Sequence, residues 1–412
     1  MAKQRKDPKG RVLRKGETYQ DAQKRYMYVY KSPDGERSYI YSKDLMKLRA
    51  REEQLIKDQL DGLDVYSMGK SDLNFVFDRY INSKTELRSS TRYNYEYTYD
   101  HYVRKGFGKK KIADIKYSDV LYFYMSLLDD GIGISTVENV QTVLHPTFKL
   151  AVRDAIIRTN PAEGVMAEIK RKSKKNSGVR HALTVEQQEA FLGYLYDNER
   201  LARWKNIIVV LLGTGCRIGE IIGLRWDDIN LDERVININH AVTYYPRTEN
   251  SYKCEFEVSY TKTEAGNREI PMLPAVYEAL MNEKQFQEET GLVCNAVIGG
   301  MSNFIFFNRF LNIHNPQAVN RAIKRIREDY NREEVVRAKK EKRQPVVLPH
   351  FSCHHLRHTF CSRLCENETN VKLIQEIMGH KDIQTTLDIY AEVTLTKKKQ
   401  SFEELADKLH VI

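Results

Sequence analysis

The chain has 412 residues, more than one ordinary core holds, and its 41% hydrophobic and 10% aromatic content lets each of two or three domains bury a core. Lys and Arg total 66 against 56 Asp and Glu, a net charge of +10 that suits a polyanionic partner such as DNA or RNA. No run of about 18 apolar residues reads as a membrane span, and the opening Met1-Ala2-Lys3-Gln4-Arg5-Lys6 has no apolar stretch of a secretory signal, so a cytoplasmic protein is expected.

The first 20 residues carry seven basic groups (Lys3, Arg5, Lys6, Lys9, Arg11, Arg14, Lys15) against Asp7 and Glu17. That run fits either an arm lying along phosphates or a solvated terminus. Tyr26, Tyr28 and Tyr30 alternate ahead of Ser32-Pro33-Asp34-Gly35, with Tyr39 and Tyr41 beyond it, a β-hairpin pattern. A charged helical stretch from Leu45 to Leu60 closes a small α+β domain within residues 1–65, whose tyrosines are expected to serve packing more than base reading. Residues 67–70 read as a short linker.

Residues 71–165 read as an all-α unit of four helices. Ser71 is placed to cap the first, whose apolar face is Leu73, Val76, Phe77, Tyr80 and Ile81. Ser89-Ser90-Thr91 opens the second. Tyr93, Tyr95, Tyr97 and Tyr99 alternate there as in a strand, but Tyr95, Tyr99 and Tyr102 share a helical face, and a helix is expected. Ser118 starts the third and Ser135 the fourth, with Pro146 inside it as a kink or break and Asn160-Pro161 as its stop. Residues 166–181, with Lys170, Arg171, Lys172, Lys174, Lys175 and Arg180, read as a basic linker, either crossing a DNA backbone or acting as a plain tether.

Residues 182–412 are mixed: mainly α with a small antiparallel sheet. Helices are expected at 184–196 and 201–212, and strands around Val235–Ile238, Ala241–Tyr245, Phe256–Lys262 and Arg268–Met272. Four stretches in this part carry the chemistry. Arg217 and Glu220 lie three apart in Gly213-Thr214-Gly215-Cys216-Arg217-Ile218-Gly219-Glu220, on one face of a helix. Lys262 precedes a hairpin tip at Ala265-Gly266-Asn267. His354 and Arg357 are again three apart in His354-His355-Leu356-Arg357-His358-Thr359. His380 follows Met378-Gly379, and Tyr390 comes ten residues later. Singly, each has a bland reading: a helix-start ion pair, a solvent-facing lysine, a core histidine. Jointly they suit attack on a phosphodiester, which needs a nucleophile, cations on the non-bridging oxygens and an acid for the leaving alkoxide. Arginine's planar fork matches phosphate oxygens and stays charged.

The order Arg, Lys, His-x-x-Arg, His, Tyr, with the boxes TGCRIGEIIGLRWDDI, HHLRHTF and MGHKDIQTTLDIY, resembles the tyrosine recombinase (phage-type integrase) family over about residues 182–394. The helical segment is similar to that family's core-type DNA-binding domain, and the basic, strand-rich start resembles the arm-binding domain of integrases from conjugative transposons. The resemblance implies that Arg217 and Arg357 bind the non-bridging oxygens and that Lys262 protonates the leaving 5′ oxygen. It implies that His354 is acid/base near the Tyr390 hydroxyl, that His380 hydrogen-bonds the phosphate, and that Tyr390 forms a 3′-phosphotyrosyl link. Glu220 would hold Arg217. No metal or other cofactor is implied, because the arginines supply the positive charge. His355 departs from the family pattern, in which many members carry an acidic residue there. The implied partners are double-stranded DNA at core and arm sites, a homo-tetramer on DNA joined through a carboxy-terminal tail with Phe402, Leu405 and Leu409 on one face, and an accessory excision factor.

Other readings stand beside this one. Type IB topoisomerases and chromosome-dimer recombinases use similar chemistry, although the three-part layout favours an integrase, and a DNA-binding regulator without catalysis would not need the whole set. His354, His358, Cys361 and Cys365 run at helical spacing that zinc ligands also use. Without a CxxC pair, the six cysteines are expected as reduced thiols, with Cys361 and Cys365 facing a core.

Overall fold

A computed structural model of the chain describes residues 5–31, 37–60, 71–172, 182–246, 253–260 and 266–393. It divides into two compact units, one ending at residue 178 and the other beginning at 179.

The first unit opens with a three-stranded antiparallel meander, β1 (Glu17–Gln20), β2 (Arg25–Lys31) and β3 (Arg37–Ser42), in which Tyr28 pairs with both Glu17 and Ile40. The expected hairpin is therefore two strands of three, and its turn lies outside the described residues. Helix α1 (Leu45–Leu60) buries Leu45 and Leu48 against Tyr26. The fully buried Glu17 accepts hydrogen bonds from Arg49 of α1 (2.8 and 3.0 Å), fixing helix to sheet. The tyrosines divide by face. Tyr26 is interior, its hydroxyl donating to Asp7 (2.9 Å), whereas Tyr39 and Tyr41 are exposed and stacked.

The helical body follows as α2 (Leu73–Ser83), α3 (Ser89–Tyr102), α4 (Tyr117–Asp129) and α5 (Ile134–Arg153). The buried face of α2 is the one its periodicity gives, but its cap is Asp72, which accepts from Phe75 N–H at 2.9 Å, and not Ser71. Helix α3 is a helix despite its alternating tyrosines: Tyr99 is fully buried, its ring 3.6 Å from that of Phe77. Helix α5 runs through Pro146 without ending. The start of the expected linker is instead a fifth helix, α6 (Val165–Lys172). Val165 and Ile169, one turn apart, sink into the same core, and the basic run that follows them, Lys170 to Lys172, had masked that spacing.

The second unit is built around α8 (Ala202–Thr214), whose run Ile207 to Leu212 is buried all round, as befits a central helix. Around it lie α7 (Val185–Asp197), the short α9 (Ile218–Ile222), α10 (Pro274–Thr290), the 26-residue α11 (Pro316–Glu341), α12 (Cys353–Asn367), α13 (Val371–Met378) and, last among the described residues, α14 over 383–393. Where one small sheet was expected there are two. Strands β4 (Ile229–Asn230), β5 (Val235–Ile238) and β8 (Arg268–Pro271) form one, and β6 (His240–Pro246) pairs with β7 (Cys254–Tyr260) in the other, both antiparallel. Cys361 and Cys365 are buried with Ile374, Met378 and Val393. Among the described residues no helix is long and apolar enough to cross a membrane.

Candidate active site

Four chain segments meet where α8 ends. Gly215 terminates that helix with φ +62°, and a Cβ there would lie 2.3 Å from the Phe360 ring, so the turn needs glycine. The chain then extends through Cys216 to Arg217, the N-cap of α9. Glu220, one turn on, accepts from the Arg217 backbone N–H (2.8 Å) and from its Nη1 (2.9 Å). The expected pair on one helix face is thus present, with the arginine at the helix mouth and the carboxylate inside.

Arg357 projects from the second turn of α12 and is only 4% exposed. Its Nη1 donates to the carbonyl of Gly215 (2.7 Å) and its Nη2 to that of Met378 (2.5 Å). Arg217 in turn donates from Nη2 to the carbonyl of Gly379 (2.9 Å). Each guanidinium is therefore held by the backbone of the segment that carries another site residue. A guanidinium has five N–H groups, and these bonds take only part of each set. Burial first, and then the charge of Arg217, pull Arg357 down to about 10, so it remains a cation at neutral pH.

Gly379 ends α13 with φ +61° and hands the chain to His380, which is buried. The His380 Nδ1 lies 3.0 Å from the hydroxyl of the fully buried Thr386. Burial, and then the fields of Arg357, Arg217, Arg268 and His354, hold this imidazole down at about 4, and it is neutral at physiological pH. His354 itself is exposed in the first turn of α12. His355 lies 3.0 Å from the hydroxyl of Ser352, the N-cap of α12, so its departure from the family pattern is absorbed by a helix cap. Tyr390 is half-buried on α14 and packs in the cluster of Cys361, Cys365, Ile374, Met378 and Val393. Met378 thus links the two halves of the site: its side chain lies in the tyrosine's cluster and its carbonyl holds Arg357. Lys262 lies outside the described residues.

Residues 181–397 match the model of the phage integrase family. The chain belongs to the phage integrase family. Residues 1–59 match the DNA binding domain of Tn916 integrase, and residues 73–128 the amino-terminal SAM-like domain of phage integrases. Among curated relatives, the transposase of transposon Tn916 from Enterococcus faecalis and that of Tn1545 from Streptococcus pneumoniae are each 29% identical over 98% of this chain and 97% of their own. Among solved structures, the Tn1549 transposon integrase in complex with transposon right-end DNA is 26% identical, with a TM-score of 0.69 over 82% of this chain and all of that one. A lambda integrase tetramer bound to a Holliday junction shares the fold, with a TM-score of 0.53 at 17% identity over 90% of this chain and 97% of that one. The enzyme is a tyrosine recombinase related to conjugative-transposon integrases, and its activity is site-specific recombination of DNA.

Two residues of the candidate site lie outside the sequence pattern Arg, Lys, His-x-x-Arg, His, Tyr. Thr386, inside the box that ends at Tyr390, supports His380. Arg268 sits at the start of β8, 5% exposed, with Nη2 2.8 Å from Glu220 Oε2. Strand alternation could have flagged it, since it occupies an inward position shared with the buried Ile270.

Proposed function

We propose that Tyr390 is the nucleophile that cuts and reseals duplex DNA at the ends of a mobile element, with the scissile phosphate held between Arg217 and Arg357. The observation that carries this reading is the charge balance around Arg357. Arg217 and Arg268 bear on it as cations and Glu220 as the anion, so three guanidinium groups share one carboxylate. An excess of positive charge gathered in a low-dielectric pocket is costly unless an anion arrives. It suits a phosphodiester, whose charge grows as a fifth oxygen attaches.

In this scheme the Tyr390 oxygen attacks phosphorus in line and the bond from phosphorus to the 5′ oxygen breaks. The phenolic proton passes to His354, the departing 5′ oxygen takes a proton from Lys262, and a 3′-phosphotyrosyl ester remains. The reverse attack by a 5′ hydroxyl from the partner duplex reseals the strand. A second round of exchange resolves the resulting Holliday junction. Bond energy is kept in the ester, so no nucleotide cofactor is called for. His380 fits a hydrogen-bond donor to phosphate: with the Thr386 hydroxyl donating to Nδ1, the single proton of the neutral ring sits on Nε2.

Residues 1–65 would grip arm sites, 71–165 core sites, with 166–181 linking them to the catalytic part at 182–412. The tail with Phe402, Leu405 and Leu409, outside the described residues, would join protomers into a tetramer on DNA in the bacterial cytoplasm. An excision factor would set the direction of the reaction. The test is to trap covalent complexes in cells carrying the element, sequence the attached DNA and locate the phosphotyrosyl peptide by mass spectrometry. A peptide containing Tyr390 joined to a 3′ end at a defined site is expected. An adduct on another residue, or an undiminished adduct in Tyr390→Phe, overturns the proposal.

A further inference from the structure

The chemical steps above give Arg268 no part beyond its charge, yet it is among the most buried cations of the site and touches two of its other segments, that of Glu220 and that of Gly379. It opens β8, and strand alternation turns it inward. Interior burial of a guanidinium costs several kcal/mol unless its donors are met. Here they are met by partners that belong to the reaction. Nη2 and Nη1 form a fork on Glu220 Oε2 and Oε1 (2.8 and 3.3 Å), and Nε donates to the carbonyl of Ile377 in the last turn of α13 (2.8 Å). A Cβ at Gly379 would come within 2.9 Å of the same guanidinium, so the backbone just ahead of His380 is packed directly on it. Glu220 is thereby held from two sides, by Arg268 on the interior and by Arg217 on the open side, where the latter side chain is 45% exposed.

We propose that Arg268 is a positioning residue for DNA cleavage: a buried strut that fixes the Glu220 carboxylate, and through it aims the Arg217 guanidinium while bracing the backbone that presents His380. The strut rests on the role given to Arg217 above. A carboxylate gripped by only one arginine would be free to swing with it, and the phosphate would then have to order both groups as it binds. With Arg268 in place, one face of the fork of Arg217 is committed to a rigid partner before DNA arrives.

The groups facing Glu220 are Arg268 from β8, Arg217 at the mouth of α9, the Cys216 thiol beside them and Arg357 from α12. Burial pushes the Glu220 carboxyl up, and Arg268 leads the groups that pull it back down, to about 2. Remove Arg268 and burial is opposed chiefly by Arg217, so Glu220 takes up a proton at a higher pH and releases Arg217 as it does so. This gives the strut a signature that packing alone lacks.

The experiment measures single-turnover cleavage and, separately, binding of full-length enzyme on a nicked duplex carrying the site recovered from trapped adducts, between pH 5.5 and 8.5. Arg268→Gln is expected to cleave roughly 30-fold more slowly than wild type at pH 8 with Kd changed by less than about threefold, the scale of removing an outer-shell support. Its deficit relative to wild type should widen by about threefold or more toward pH 5.5. Arg268→Lys keeps the charge without the fork, and should recover only in part, to about three- to fivefold below wild type. Glu220→Gln combined with Arg268→Gln should be no slower than the slower single variant and should lose the extra pH dependence. A pH-independent deficit matched by an equal loss of binding, or losses that multiply in full in the double variant, overturns the strut. If Arg268→Gln melts below the assay temperature, Arg268→Lys decides: cleavage weakened beyond binding supports the strut, and wild-type cleavage overturns it. Arg217→Lys separates the two readings. If it cleaves normally, the role of Arg217 fails and the strut with it. If it is crippled while Arg268→Gln is not, the strut alone fails.

Discussion

Among the described residues of the second unit, Glu220 and Glu334 are both buried and each is gripped by two arginines, yet they are held in different ways. Glu334 in α11 accepts from Arg337 (3.0 and 2.5 Å), from Arg343 and from the backbone N–H of Val346 (3.1 Å). Its partners all lie within twelve residues, and both arginines face solvent on their other side. Glu220 takes one partner from three residues away and another from 48 away, and its nearer arginine reaches on to a carbonyl 162 residues off. Both carboxyls are held at about 2, Glu220 against strong burial by Arg268 and Arg217, Glu334 chiefly by Arg343 and Arg337. A depressed carboxyl therefore does not mark a functional site by itself. What sets Glu220 apart is connection between distant segments that each bring a group to one place. Glu334 ties down the loop that leaves its own helix.

Arg217→Lys should break the comparison hardest. The charge stays and the fork is lost, so cleavage should fall by about 10²–10³-fold with DNA binding little changed, as read on a nicked duplex. Glu220→Gln should cost about 10²-fold in cleavage. Glu334→Gln should lower stability by about 2 kcal/mol in denaturant titration while leaving cleavage per folded molecule within about twofold. Equal cleavage losses in the two glutamine variants would show that the glutamates do not differ in kind.

Acid sharpens the contrast through a third group. Both glutamates are depressed below 4.5, so the stability they add is complete above that pH and is lost as pH falls toward 2. His380 is depressed from 6.5 to about 4 and stays neutral in the fold, whereas the unfolded chain takes up the proton as pH drops through 6.5. The share of stability that His380 carries should therefore decline from pH 6.5 to 4, by on the order of 3 kcal/mol. His380→Asn should remove that share and leave both the lower window and the parallel decline from buried His314, which is also held at about 4, as followed by denaturant midpoints at each pH. Thr386→Val should give the smallest effect. It removes the hydroxyl beside Nδ1 that the proposed scheme uses to set the tautomer of His380, and should slow cleavage by roughly tenfold with the fold unchanged by circular dichroism. Unaltered cleavage would remove the donor role proposed for the imidazole.

Much of this was legible in the chain because its signals are local. The apolar face of α2, the helical nature of α3 and the pairing of Arg217 with Glu220 all follow from spacings of three or four residues. What was lost was either non-local or overwritten. Arg268 meets Glu220 only after β8 docks on the helices, and nothing near Arg268 in the sequence announces a carboxylate. Strand β1 has four residues and no apolar alternation, and becomes a strand because β2 offers it an edge. Helix α6 is hidden by the basic run Lys170-Arg171-Lys172 that follows its two buried residues. Ser71 lost the cap of α2 to Asp72, one residue on, where side chains of either kind serve.

The carbonyl of Gly215, two residues ahead of one arginine, receives the other; the carbonyl of Gly379, one ahead of the histidine, receives the first. The arrangement is circular: no member is seated by its own segment alone. An alanine scan across Arg217, Arg357 and His380 would then return three large numbers whose logarithms sum to more than the enzyme's whole acceleration, because each deletion also slackens the seats of the others. The same circularity closes off gradual change. A lineage that lost one of the three would gain little by keeping the remaining two, so the ring is expected to be inherited, or abandoned, as a block.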